Sequence, residues 1–308
     1  MDETISPLAL GVIAGAMLLS LAALFAAAVR AFSGRHLILY EPHPPVPWTG
    51  WDVSWILLYV ALNLLAGAAD VIAGAPAEPP PSPAGFLGML AFLAALNAGI
   101  IALSLLCARL RTKVTLRDLG LRRDTLLGDV RLGVAAFLVV LAPVYLVQAI
   151  VWYGFDVRQP HALLEMVAAD PRLFWACAVS AVIVAPITEE LMFRVLLQGW
   201  LERLEMLPGR AVAPDFAAPP PEATAGFAST AGETQSSSPA DVRPGPVSLF
   251  LPALLFALVH GWPDCLPLFV FALALGYLYR QTHRVVPCIV LHMCLNGGSM
   301  FLLWLSLP

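Results

Sequence analysis

Apolar residues gather in long runs broken by short polar or proline-rich stretches. Most runs approach the ~20 residues that a helix needs to cross the hydrocarbon core of a bilayer. The pattern predicts eight spans, at about 8–29, 53–73, 86–106, 132–152, 170–200, 249–262, 266–279 and 285–305. Local signals mark them. Asp170 followed by Pro171 is a helix N-cap with proline at the first helical position. Trp48, Trp51 and Trp55 suit an aromatic belt at the start of the second span. Pro143 predicts a kink in the fourth, and Gly11 with Gly15 makes a GxxxG packing face on the first.

Charge then orients the spans. Asp2 and Glu3 precede the first run, and Arg30 and Arg35 follow it, the reverse of a signal peptide, so it reads as a retained span with its N-terminus outside. Arg109, Arg111, Lys113, Arg117, Arg122, Arg123 and Arg131 mark 107–131 as a cytoplasmic loop. With eight spans, only Arg158 and Arg172 of the 17 basic residues fall outside. Even parity puts both termini outside, in an integral, multi-pass cell-membrane protein expected in a bacterial inner membrane. Leu116, Leu119, Leu121, Leu126 and Leu127 alternate with the basic residues, predicting a piece of interfacial helix on anionic lipid. Proline-rich 75–83 and the stretch 153–172, with a short surface helix around His161 and Glu165, are expected outside.

Residues 205–246 turn to Pro, Ala, Ser, Thr and Gly. Such a segment cannot bury enough apolar surface to offset its ordering entropy, which predicts a disordered insert rather than a second domain. The chain therefore divides into N-terminal helices (1–152) and a catalytic membrane core (153–308) that contains the insert.

Composition agrees with that architecture. The 308 residues are 59% hydrophobic and 12% charged, with a mean hydropathy of +0.81, where soluble domains carry roughly 25% charged residues. The expected fold class is all-α, a polytopic integral membrane protein. Cys107, Cys177, Cys265, Cys288 and Cys294 show no ligand spacing and read as free thiols in apolar packing. No basic patch with interleaved aromatics and no glycine cradle is present, which excludes nucleic acid as an expected partner. Lipid and a protein or peptide substrate, membrane-anchored or not, remain. The sequence does not fix an oligomeric state.

Against this background the polar residues inside spans carry the chemistry. A charge near the bilayer centre costs about 2.5–3.5 kcal/mol even on lenient scales, so an intramembrane ionisable residue signals function. Glu189, Glu190 and Arg194 fall within six positions of the fifth span. Glu190 and Arg194 share a helix face and can pair, while Glu189 is turned about 100° away. The pair reads as an internal clamp, leaving Glu189 for chemistry. Phe256 and His260, and then His292 and Asn296, repeat the four-residue spacing on two later spans. By helix rise, Glu189, His260 and His292 lie about 16, 12 and 8 Å from their cytoplasmic helix ends, near enough to share one level.

Such a set suits hydrolysis. Glu189 is the candidate general base, with His260 as its partner on the water, and His292 and Asn296 stabilise the oxyanion. Glu190, Arg194 and Phe256 give structural support. A competing arrangement uses Glu189, His260 and His292 as a two-histidine, one-carboxylate site for a divalent metal such as zinc. The motifs of a metal-binding helix are absent, so both stay open.

In order, Glu189-Glu190-xxx-Arg194, Phe256-xxx-His260 and His292-xxx-Asn296 resemble the three motifs of the CAAX-prenyl-protease and bacteriocin-processing family. The resemblance covers about 173–305. It implies a membrane-embedded peptidase in which the first glutamate and both histidines are essential and the asparagine assists, with either a metal-bound or a glutamate-activated water. The insert departs from a plain family core, and nothing reads as a prenyl pocket. A non-catalytic scaffold or immunity protein of the same fold is the alternative. An ion carrier ranks third, because no inverted repeat is seen.

Overall fold

The computed structural model describes residues 7–73, 82–155, 166–167, 170–206 and 243–306, and every regular element among them is helical. Seven helices are long and apolar enough to cross a membrane. These are α1 (Pro7–Phe32), α2 (Gly50–Ala73), α3 (Pro83–Arg111), α4 (Leu126–Gly154) and α5 (Pro171–Glu205), followed, after a shorter helix, by α7 (Cys265–Thr282) and α8 (Val285–Ser306). The chain is thus an all-α polytopic membrane protein.

Among the described residues, helices of spanning length account for seven of the expected eight spans, and the other is a shorter apolar helix. α6 (Val247–Leu258) has 12 residues, about 18 Å of rise against a hydrocarbon core of about 30 Å. It stops because Gly261 adopts φ +74°, the left-handed conformation that ends helices. His260 and Trp262 therefore lie in the turn after α6, and the chain returns as α7.

Connections gather at one end of the bundle. The Glu41 amide donates to the Gln281 carbonyl at 2.8 Å, Arg284 bridges Glu41 and Asp129, and Arg111 pairs with buried Asp52. Three backbone carbonyls, of Val46, Pro47 and Trp48, accept from Arg203 Nη1, tying the α1–α2 loop to the end of α5. Gly120 has φ +73°, and a Cβ there would lie 2.7 Å from the His283 carbonyl oxygen, so both conformation and space demand glycine. In the α1–α2 loop, burial first and the adjacent His283 second push the pKa of the His43 imidazole down to about 4.

Several local expectations change. Trp48 is fully buried, its indole N–H donating to the Leu196 carbonyl at 3.0 Å, so it packs into the core while Trp51 and Trp55 remain exposed. Residues 112–125 form turns, with Asp118 accepting from the Thr115 amide at 2.7 Å; that local bond competes with the expected interfacial helix. A Cβ on Gly11 or Gly15 would meet nothing within 4 Å, so the GxxxG face is open. α1 packs on α4 instead, and its buried Ser20 accepts from the Ala142 amide beside Pro143 at 2.8 Å. The Asp170 cap is present, its carboxylate accepting from the Arg172 amide, and all five cysteines are free. The predicted helix around His161, most of connector 75–83 and most of insert 205–246 lie outside the described residues.

Candidate active site

The site begins with an irregularity in α5. Residues Ser180–Val184 and Glu190–Gln198 are π-helical, flanking the short α-helical piece Ala185–Glu189. In the π register an amide pairs five residues back, as Ala185 does with Ser180. Pro186 has no N–H, so by the same register the Ala181 carbonyl loses its partner. Asn296 on α8 supplies one: its Nδ2 donates to that oxygen at 2.8 Å. Pro186, three residues before the first motif, thereby gives the asparagine of the third its partner.

One turn on, the two glutamates separate as their spacing suggests. Glu190 is fully buried. Its Oε2 accepts from Arg194 Nε at 3.2 Å and its Oε1 from His292 Nδ1 at 2.8 Å. Arg194 is equally buried, its guanidinium 5.3 Å from the centre of the Phe256 ring. The clamp thus holds three helices, since Phe256 belongs to α6 and His292 to α8. Glu189 retains 19% side-chain exposure, and its Oε2 lies 3.8 Å from His292 Nε2.

Aromatic rings surround the imidazoles. Phe256 and Phe271 meet His292 edge-on at 5.9 and 5.0 Å, and Phe256 lies 4.7 Å from His260. A carboxylate or carbonyl only accepts, so the proton positions follow. His292 donates from Nδ1 to Glu190. His260 donates from Nδ1 to the Phe256 carbonyl at 2.6 Å. In both rings Nε2 is the atom left for substrate or water. Histidine 260 makes no direct ion pair with Glu189 among the described residues; the carboxylate's near imidazole is His292.

A shared metal requires more convergence than this. With bonds near 2.1 Å, three ligand atoms must lie within about 4.2 Å of one another. Those of Glu189, His260 and His292 do not gather even within 4.8 Å, whereas those of His43, Glu202 and His283 do. In this side-chain arrangement the three ligand atoms do not converge on one point, and no step below runs through an ion there.

Residues 226–298 match the family described as Rce1-like, type II CAAX prenyl endopeptidase. The similarity is to that stretch, about a quarter of the chain. The matched stretch contains Phe256, His260, His292 and Asn296, so it agrees with the resemblance carried by the second and third motifs; Glu189, Glu190 and Arg194 precede it. No curated protein and no solved structure matches the chain.

Beyond the Rce1-like motifs, the structure brings in residues that motif reading passes over. Gln198 and Glu202 extend the buried face of Glu190 and Arg194, with Gln198 Nε2 donating to Glu202 Oε1 at 2.9 Å and to the Gly276 carbonyl at 2.8 Å. Their signal was available: positions 190, 194, 198 and 202 keep one four-residue step. Phe271, by contrast, sits in an ordinary apolar helix and gave none.

Proposed function

We propose that this protein is a CAAX-type intramembrane endopeptidase whose water is activated by Glu189. The observation that carries the reading is the division of labour between adjacent carboxylates: Glu190 is spent on Arg194 and His292, while Glu189 stays accessible beside the same imidazole. Glu189 takes a proton from water as the oxygen attacks the scissile carbonyl, and returns it to the leaving amine nitrogen. His260, its Nδ1–H committed to Phe256, orients that water through Nε2. Stabilising the developing oxyanion requires His292 to donate from Nε2 while its Nδ1–H stays on Glu190, and the remaining Asn296 N–H assists.

Access favours a membrane-anchored peptide. A groove of about 550 Å³ between α2 and α3, lined by Leu58, Tyr59, Leu62, Leu96 and Ile100, opens among exposed apolar side chains. α3 packs against residues 185–189 and α2 against 190–198, so the groove borders Glu189's own segment. The connection end carries Arg109, Arg111, Arg117, Arg122, Arg123, Arg203, Arg280 and Arg284, which by the positive-inside rule supports a cytoplasmic side.

The test is Glu189→Gln in detergent-solubilised protein, assayed on a quenched fluorescent peptide bearing a lipid anchor. Cleavage should fall by about 10²–10⁴-fold, the usual worth of a general base, with the melting temperature unchanged. Full cleavage by this variant would refute the assignment.

A further inference from the structure

We propose that His43, Glu202 and His283 form a binding site for a divalent cation of the zinc class, at the connection end and separate from the peptidase residues. His43 lies in the α1–α2 loop, Glu202 near the end of α5 and His283 just after α7. Their ligating atoms all fall within 4.8 Å of one another. Glu202 Oε2 is 2.6 Å from His283 Nε2 and 4.0 Å from His43 Nε2. A tetrahedral ion with bonds near 2.1 Å separates its ligands by about 3.4 Å, so on binding the shorter contact opens, the longer one closes, and the two imidazoles, stacked here with ring centres 2.9 Å apart, swing apart. Two imidazoles and one carboxylate leave a fourth position for water.

The surroundings are built for this. A metal-bound histidine is held by a hydrogen bond from its other ring nitrogen, and a metal-bound carboxylate by donors to its second oxygen. His43 has that arrangement, with Nδ1 donating to the Pro44 carbonyl at 3.1 Å. Its Nε2 is then an acceptor; it is buried, makes no hydrogen bond among the described residues, and faces a carboxylate that also only accepts. A cation resolves that opposition. Glu202 is fully buried and divides its oxygens. Oε1 accepts from Gln198 Nε2 at 2.9 Å and faces Arg280 Nε at 3.8 Å, while Oε2 is turned to both imidazoles. The competing account is a hydrogen-bonded Glu202–His283 pair with His43 stacked on it; it explains the 2.6 Å contact but gives His43 Nε2 no partner.

An ion there would staple the α1–α2 loop to α5 and α7, the helix carrying Glu189 and the one following His260. The experiment uses full-length protein in detergent, stripped with chelator and loaded with zinc or, for spectroscopy, cobalt(II). Wild type should retain one equivalent after dialysis, show the visible absorption of tetrahedral cobalt(II), and melt higher with zinc than without. His43→Ala should weaken binding by about 100-fold or more, at or above the upper end of what removing a supporting residue does. Because His43 is not hydrogen-bonded to the other two, that variant tests the site even if His283→Ala fails to fold. Glu189→Gln and His292→Ala should bind as wild type. No retained metal in wild type, binding that survives His43→Ala, or binding lost in Glu189→Gln or His292→Ala overturns the proposal. None of these readouts depends on proteolysis, so the peptidase reading stands or falls separately.

Discussion

Replacing Arg194 with methionine tests the clamp directly. In the native protein Glu190 and Arg194 are both fully buried and joined at 3.2 Å. Breaking a buried pair by removing one partner costs about 3–5 kcal/mol, because the other charge is left uncompensated. Glu190 keeps His292 Nδ1 at 2.8 Å, which puts the loss near the lower end, about 3 kcal/mol. Loss of the guanidinium over Phe256 adds about 1 kcal/mol. Arg194→Met should therefore lower stability by about 4 kcal/mol, measured by unfolding in mixed micelles with tryptophan fluorescence, for which buried Trp48 on the Leu196 carbonyl is a reporter. Adding Glu190→Gln removes the stranded charge, so the double variant should be more stable than Arg194→Met alone, a non-additivity that a double-mutant cycle reads. A loss under about 1 kcal/mol for Arg194→Met, or strict additivity, would show that the pair is not held as a buried clamp.

Two further results are expected. Asn296→Ala should cost about 1–3 kcal/mol by stranding the Ala181 carbonyl, and much less in a Pro186→Ala background, where residue 186 regains an N–H for that oxygen; equal costs in both backgrounds would separate the proline from the asparagine. Gly133→Ala places a Cβ 2.7 Å from both the Pro287 carbonyl oxygen and Val290 Cβ at the α4–α8 contact, and should destabilise by about 1–3 kcal/mol, whereas Gly99→Ala, with nothing within 4 Å, should not lower the melting temperature.

What the sequence made legible follows from which forces act locally. Long apolar runs reveal spans because the bilayer imposes a length, and seven of the eight runs are helices of that length. The exception, 249–262, is a shorter apolar helix, because a glycine at φ +74° acts through conformation rather than hydropathy. Adjacent carboxylates revealed the first motif, and the four-residue spacing gave the Glu190–Arg194 pair. The partner of His292 was not legible. It depends on how α5 and α8 rotate against each other, and hence on π turns that leave no compositional mark. Trp48 was misplaced for a similar reason: tryptophan at a helix start fits an interface or a core equally well, and a carbonyl of α5 decides.

The π segment also explains why one polar stripe can run along α5. In a regular α-helix residues four apart drift by about 40°, so positions 190 and 202 would end about 120° apart, one facing α8 and the other turned well away. A π turn takes roughly 4.4 residues, so over 190–198 the drift reverses to about −65°, and the last α-helical step returns about 40°. The net rotation is small, which matches the side-chain hydrogen bonds along the stripe, Arg194 to Glu190 and Gln198 to Glu202. The same irregularity that turns Glu190 onto His292 therefore keeps Glu202 pointed at His283. Geometry at the peptidase residues and at the connection end is set by one helix, and a change that restored regular α-helix through 190–198 would have to break one of the two.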